Sequence, residues 1–362
     1  MINNPLVSIL LPTHNRADVL PFAIHSVLAQ TIQNFELLIV GDGCTDDTAQ
    51  VVLSFVDPRI HWFNLPKAPN FGYANRNIAL KKAHGEFIAF MAHDDLWFSD
   101  HLEQLLPNFD NKKIDIVYSR PLWVIPLGMI VPGLFNLNHV PTRKLFLDQN
   151  VNKIPASCVM HRQDCFSKYG YWNDQLAEAG DIDMWTRIIK GGEENNFTYL
   201  GTPTCLHFKA VWHKTNYDEA FGFYFWKHRF DLNLMPANLK IEVLNGENEQ
   251  QAIWEKASSD PQDWNKKIRL AIEEVIDLCA WQSTQDDVKE SLIISENNRR
   301  HLQNKLANME NSLADTQTAL MNIQNTLTWR MHEYIFRFGF AGKFYRTVVK
   351  PIKGWLSSHT LL

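Results

Sequence analysis

Cysteine pairs, long apolar runs and charge of one sign are all scarce in this chain, and each scarcity removes a class of protein. The five cysteines, Cys44, Cys158, Cys165, Cys205 and Cys279, are scattered and form no C-x-x-C pair, so neither a zinc site nor a disulfide framework is indicated. Reduced thiols in a cytosolic compartment are the expected state. No stretch approaches the roughly 20 apolar residues needed to span a bilayer, and the N-terminus enters a strand-like pattern without the basic and apolar regions of a secretory signal. The apolar segment Pro121 to Phe135 is broken by Pro126, Gly128, Pro132 and Gly133 and reads as strand and loop. The formal net charge is only −5, which gives no global reason to expect a nucleic-acid partner.

What is present is a globular composition, 45% hydrophobic and 21% charged over 362 residues, enough for one large or two ordinary domains. The first hundred residues alternate between two periods. "LVSILLPT", "FELLIVGDG", "IHWFNL" and "EFIAFMA" read as buried strands, while "ADVLPFAIHSVLAQ", "DDTAQVVLSFV" and "YANRNIALKKA" carry apolar residues at helical spacing. Strands alternating with helices predict an α/β fold whose mainly parallel sheet is covered on both faces. Ligands of such sheets bind beyond the carboxyl ends of the strands. The polar clusters Thr13-His14-Asn15, Gly41-Asp42-Gly43 and His93-Asp94-Asp95 should therefore share one edge.

The stretch "GEFIAFMAHDDLWFSD" sets two adjacent carboxylates directly after an apolar run. Desolvating both is unfavourable unless a cation or hydrogen bonds compensate. Paired carboxylates at a sheet mouth suit a hard divalent cation whose shell is completed by substrate phosphates. Asp42, between two glycines that permit close approach, is a candidate acceptor for a nucleoside base or ribose.

With these residues in order, "VSILLPTHNRADVLPFAIHSVLAQTIQNFELLIVGDGCTDDT" followed by "NFGYANRNIALKKAHGEFIAFMAHDD" resembles the nucleotide-binding half of family 2 glycosyltransferases with the GT-A fold, over about residues 5–215. The resemblance implies that Thr13, Asp42, Arg76 and Asp94 contact a nucleotide diphospho-sugar and that Asp95 holds a divalent cation, Mn2+ or Mg2+. Two departures stand out: Gly41 occupies a position that is often acidic in the family, and so does His93. Losing that second acid leaves open which of Asp94 and Asp95 touches ribose and which touches metal.

Downstream, "SCVMHRQDCFSKYGYWNDQLAEAGDIDMWTRIIKGG" resembles the acceptor half, and "AGDIDMWTRI" puts Asp181 where the family carries its general base. Asp183 and Glu178 are the nearby alternatives, and capping of the following helix is the rival role for Asp181. Trp185, Ile188 and Ile189 belong to the core side of that helix. In "CLHFKAVWHKTN" the resemblance implies a histidine that completes the metal or diphosphate shell; His213 fits the pattern better than His207. His14, His93 and His161 are assigned no catalytic role.

The resemblance therefore implies an inverting, metal-dependent sugar transfer from a nucleotide diphospho-sugar to a glycan or lipid-linked hydroxyl, in bacterial cell-surface polysaccharide synthesis. A catalytically silent glycan-binding scaffold and a sugar nucleotidyltransferase are the rivals. The latter usually has a basic glycine-rich loop after its first strand, where this chain has "PTHNRAD". The loop from Leu134 to Asn150 is expected to shape the acceptor site.

The remaining chain is expected to follow the 1–215 domain as a helical linker over 216–285, a coiled coil over 286–328 and a basic aromatic tail over 329–362. Leu302, Leu306, Met309, Leu313, Leu320, Ile323 and Leu327 keep a heptad seam, with Thr316 in its one polar core position; a single amphipathic helix packed on its own domain is the alternative. The tail interleaves Arg330, Arg337, Lys343, Arg346, Lys350 and Lys353 with aromatics, a composition suited to an anionic membrane surface. Self-association through the coiled coil and a cytoplasmic, peripheral-membrane location are the expectations that follow.

Overall fold

The computed structural model describes residues 4–125, 129–208, 232–243 and 248–337, with side chains over 248–276, 299–331 and 333 in the last segment. The apolar runs form the strands expected of them. β1 (Val7–Thr13), β2 (Phe35–Asp42) and β4 (Phe87–Phe90) are buried almost throughout, as strands covered on both faces must be. β3 (Ile60–Leu65) is half-exposed and forms the edge. Between them run α1 (Leu20–Leu28), α2 (Thr48–Ser54) and α3 (Tyr73–Leu80). The ladders β1–β2, β1–β4 and β2–β3 are parallel.

Beyond β4 the sheet departs from the mainly parallel expectation. β5 (Leu96–Trp97), β6 (Ile116–Ile125), β7 (Met129–Pro132), β8 (Val159–Arg162) and β9 (Phe197–Phe208) complete nine strands in the order β3-β2-β1-β4-β8-β6-β9-β5, with β7 against β6. Here β4–β8, β6–β8, β6–β7 and β5–β9 are antiparallel and only β6–β9 is parallel. The architecture is therefore a mixed sheet flanked by helices. The segment expected as a loop contains α5 (Val140–Gln149), which ends on Asn150 in the left-handed region. α4 (His101–Leu105), α6 (Cys165–Tyr169) and α7 (Gly180–Gly191) lie elsewhere around the sheet.

Residues 1–284 form one compact unit. Two cores lie on opposite faces of the sheet, one around Ile9, Leu37 and Ala89, the other around Leu10, Leu38, Ile88 and Trp185. A third joins Leu96, Phe98, Leu122, Val124 and Phe208 to Met235, Leu239, Ile241, Ile253, Ile268, Ile272 and Val275. The latter group falls in the segment expected as linker. α8 (Glu249–Ser259) opens on Asn248, whose side chain accepts from Gln251 N. The helix beginning at Pro261, α9 (Pro261–Arg337), places Ile268, Ala271, Ile272 and Val275 on one stripe at 3-4-7 spacing. Each large aliphatic side chain buried this way contributes roughly 1.5–3 kcal/mol. Lys240 also bridges to Met129 of β7.

The second unit comprises residues 285–362, and its described chain is helical through Arg337. Leu302, Leu306, Met309, Leu313, Leu320, Ile323 and Leu327 are 52–64% exposed. Most of the basic aromatic tail, and His213, lie outside the described residues.

Candidate active site

The ends of β1, β2 and β4 meet at a cavity of about 490 Å3, lined among others by Thr13, His14, Asn15, Arg16, Asp42, Lys67, Phe71, Arg76 and His93. The shared edge anticipated from the strand pattern is thus real. Thr13 is 2% exposed, and its Oγ1 has no hydrogen-bond partner among the described residues. A buried hydroxyl left this way beside a cavity is an available contact for a ligand.

Asp42, the last residue of β2, is surrounded by donors. Its carboxylate accepts from Ala68 N at 2.8 Å and Asn75 Nδ2 at 2.7 Å, and pairs with Lys67 Nζ. Burial raises its pKa, but Lys67, the Ala68 N–H and Asn75 together outweigh burial and hold it below the ordinary carboxylate range. Gly72 is at φ 72°, and a Cβ there would lie 2.6 Å from Asp42 Oδ2. Glycine is thus required twice over, for its left-handed backbone and for the close approach.

The adjacent carboxylates have different environments. Asp95 is fully buried and accepts from Ser157 Oγ, from Phe208 N at 3.1 Å and from the His207 ring, whose Nδ1 lies 2.9 and 3.0 Å from its two oxygens. Asp94 has more distant partners, Arg16 Nη1 at 3.8 Å and His93 Nε2 at 4.0 Å. Burial pushes the Asp94 carboxyl above its usual range, Asp95 adds to this, and His93, His207 and Arg16 oppose it. Burial likewise lowers His93 toward the neutral imidazole. His93, given no role from sequence, lines the cavity itself.

Asp181 sits in the first turn of α7, whose N-cap is Ala179 at φ 59°. Asp181 is therefore not the N-cap residue, and Ala179, which is, makes no side-chain cap bond. Asp181 Oδ2 accepts from Asn152 Nδ2 at 2.8 Å and its Oδ1 from Ile182 N at 2.8 Å. Burial raises its pKa, opposed by those bonds and by the charge of Arg76. Arg76 feels both Asp42 and Asp181, and its guanidinium lies 4.8 Å over Tyr73 and 5.2 Å over Trp172. Tyr73 in turn accepts from Gly180 N, 2.8 Å away, at the start of α7. Of the alternatives, Asp183 is paired with Arg187 at 2.9 Å and Glu178 is exposed.

The family model for glycosyl transferase family 2 matches residues 8–170. TuaG of Bacillus subtilis, a putative teichuronic acid biosynthesis glycosyltransferase, is 38% identical over 204 residues, covering 56% of this chain and 77% of TuaG. The chain belongs to glycosyl transferase family 2. Its mixed sheet flanked by helices is of the GT-A type anticipated for a family 2 member. WfgD of Escherichia coli, a UDP-Glc:alpha-D-GlcNAc-diphosphoundecaprenol beta-1,3-glucosyltransferase, is 40% identical over 115 residues, 32% of this chain and 45% of WfgD. Among five Rickettsia glycosyltransferases it matches, this family 2 chain spans 28–60% of their length. Among solved structures, Staphylococcus aureus TarS 1-349 in complex with UDP-GlcNAc aligns with TM-score 0.47 at 21% identity, over 56% of this chain and 58% of that one. The mannosyltransferase PcManGT of Pyrobaculum calidifontis, in complex with GDP-Man and Mn2+, aligns with TM-score 0.43 at 13% identity, over 80% and 81%.

Several residues around the candidate site are not singled out by the sequence. Ser157, Asn152, Lys67 and Asn75 act through carboxylates distant in sequence, and no local pattern announces them. His207, placed second to His213 by the sequence, reaches Asp95; His213 lies outside the described residues. A different group, Asp115, Asp164 and Cys165, brings its ligand atoms within 4.8 Å. Lys168 already lies 3.3 and 3.0 Å from its two carboxylates, so that cluster holds a cation of its own, and none of its members lines the cavity.

Proposed function

We propose that this chain transfers a sugar from a nucleotide diphospho-sugar to an acceptor hydroxyl, with inversion at the anomeric carbon. The observation that carries the reading is Asp181: a half-buried carboxylate, aimed by Asn152 and Ile182 N and coupled through Arg76 to the cavity that holds Thr13 and Asp42. Asp181 abstracts the proton of the acceptor hydroxyl as its oxygen bonds to the anomeric carbon and the bond to the diphosphate breaks. Raised basicity suits that task. Thr13, Asp42 and Arg76 bind the nucleotide, and Asp94 faces ribose or diphosphate.

A divalent cation suits the donor chemistry here, two carboxylates and an imidazole, and among the described residues Arg16 Nη1 comes no closer than 3.8 Å to buried Asp94. Asp94, Asp95 and a histidine, His207 or the more distal His213, would hold Mn2+ or Mg2+, which when bound neutralises charge on the departing diphosphate. TuaG and WfgD support a role in cell-surface polysaccharide synthesis with a glycan or lipid-linked acceptor. Such an acceptor places the work at the cytoplasmic face of a membrane, with the tail from Trp329 as the contact. No helix among the described residues is long and apolar enough to cross a membrane.

The test is metal-dependent hydrolysis across a panel of nucleotide sugars, followed by calorimetry on Asp181→Asn with the best donor. Transfer should be lost and donor binding retained. Undiminished transfer by Asp181→Asn would remove the base assignment, and no turnover of any donor would favour a silent scaffold.

A further inference from the structure

We infer that the exposed seam of α9 is the core of a parallel coiled coil of more than two copies of this chain. Leu306, Leu313, Leu320 and Leu327 fall at one core position of the heptad, and Leu302, Met309, Thr316 and Ile323 at the other. All the apolar members of both sets are more than half exposed within the single chain. The 4-3 alternation is kept across the whole of this stretch, which is the requirement for knobs-into-holes packing between helices.

Orientation follows from charge. Lys305 precedes the Leu306 core position by one residue, and Glu310 follows Met309 by one. In a parallel, in-register assembly these are the flanking positions that meet between neighbouring helices. They are of opposite sign, and no ion pair engages either one among the described residues. Within one helix they are five residues apart and do not face each other. An antiparallel pairing would set like flanking positions together and forgo this attraction.

Strand number follows from shape. Leucine stands at every first core position and isoleucine, Ile323, at one of the second, and leucine at the first with isoleucine at the second is the order that favours more than two strands. The other flanking positions are uncharged, with Ser312, Ala319 and Thr326 on one side and Gln317 and Gln324 on the other. A wider interface can therefore cover them without stripping water from charges. Thr316 Oγ1 already donates to Ser312 O at 2.7 Å, so its hydroxyl enters a core satisfied. A second copy is thus the occupant of this face, by a route independent of the sugar-transfer reading.

The test is light scattering on the full chain, with the 42.0 kDa protomer as unit. A mass above two protomers is expected; a monomer or a dimer overturns the proposal. Leu313→Glu combined with Leu320→Glu should give a monomer whose thermal unfolding of the 1–284 unit is unchanged, and an unaltered mass would overturn the seam. Leu302→Cys and Leu327→Cys should each cross-link to itself under mild oxidation. A cross-link found only when the two variants are mixed would overturn the parallel orientation. Lys305→Glu alone should lower the midpoint of assembly, and adding Glu310→Lys should restore it.

Discussion

As the proposed base, Asp181 would be readied to accept a proton by the same burial that makes its charge unfavourable. Its folded pKa lies above the ordinary value, so transfer should rise with pH through a limb displaced upward from the roughly pH 4 of a free aspartate. Replacing Asn152 with alanine removes a bond that favours the ionised form and should move that limb further up, as a pH–rate profile would show. The stability sign runs the other way. A raised folded pKa contributes stability below the unfolded value and loses it as pH rises through the folded one. The melting temperature of the wild type relative to Asp181→Asn should therefore fall across that window. Asp181→Asn itself should cost at least about 10^2- to 10^4-fold in turnover, checked by initial rates at saturating donor. The sequence singles this residue out because it opens an apolar-aromatic helix at a recognisable spacing. Its partner Asn152 is not singled out, since a hydrogen bond across 29 residues leaves no local trace. Buried Glu36 was equally silent: it lies on the same strand as Asp42 but at the opposite end, bonded to Ser8 and to His84 N, and serves the fold.

Between residue and molecule, the turn before α3 decides whether Asp42 is correctly held. Lys67, Ala68 and Asn75 all converge on that carboxylate, and Gly72 lets the chain pass beside it. Gly72→Ala forces a side chain into a left-handed backbone position, which costs about 1–2 kcal/mol, and drives its Cβ against Asp42. Donor affinity measured by calorimetry should drop, while Ala68→Ser, which keeps the backbone donor, should leave it nearly unchanged. The helices and strands of the first half were readable because each apolar run has one period and one pair of flanking turns. The second half was harder. β6, β8 and β9 pair antiparallel and parallel within one sheet, and nothing in a single strand's sequence states which neighbour it will meet. α5 carries no strong apolar stripe, buries only Phe146, and so reads as loop until its surroundings are seen.

For the molecule as a whole, the 1–284 unit is closed by a segment that the sequence presents as a connector. Ile253, Ile268 and Ile272 are nearly inaccessible in the third core, and folded domains hold only about 5–15 kcal/mol in total. A chain ending at residue 215 should therefore lose cooperative unfolding, whereas one ending at 284 should keep it, as thermal melts would show. The polar composition of this region concealed the dock, because among the described residues the apolar stripe of α9 comprises only Ile268, Ala271, Ile272 and Val275. At the same contact Arg269 grips Asp100 through two hydrogen bonds of 2.7 and 2.8 Å, and Arg269→Ala should remove about 1.5–3 kcal/mol of stability, read as a lower melting temperature. That grip also has a mechanical side. Asp100 lies five residues beyond Asp95, with the two-residue strand β5 between them. Tension along the first turns of α9 is thus delivered to the short stretch of backbone that carries the paired carboxylates, which makes the Arg269–Asp100 clasp the bearing on which the site is mounted.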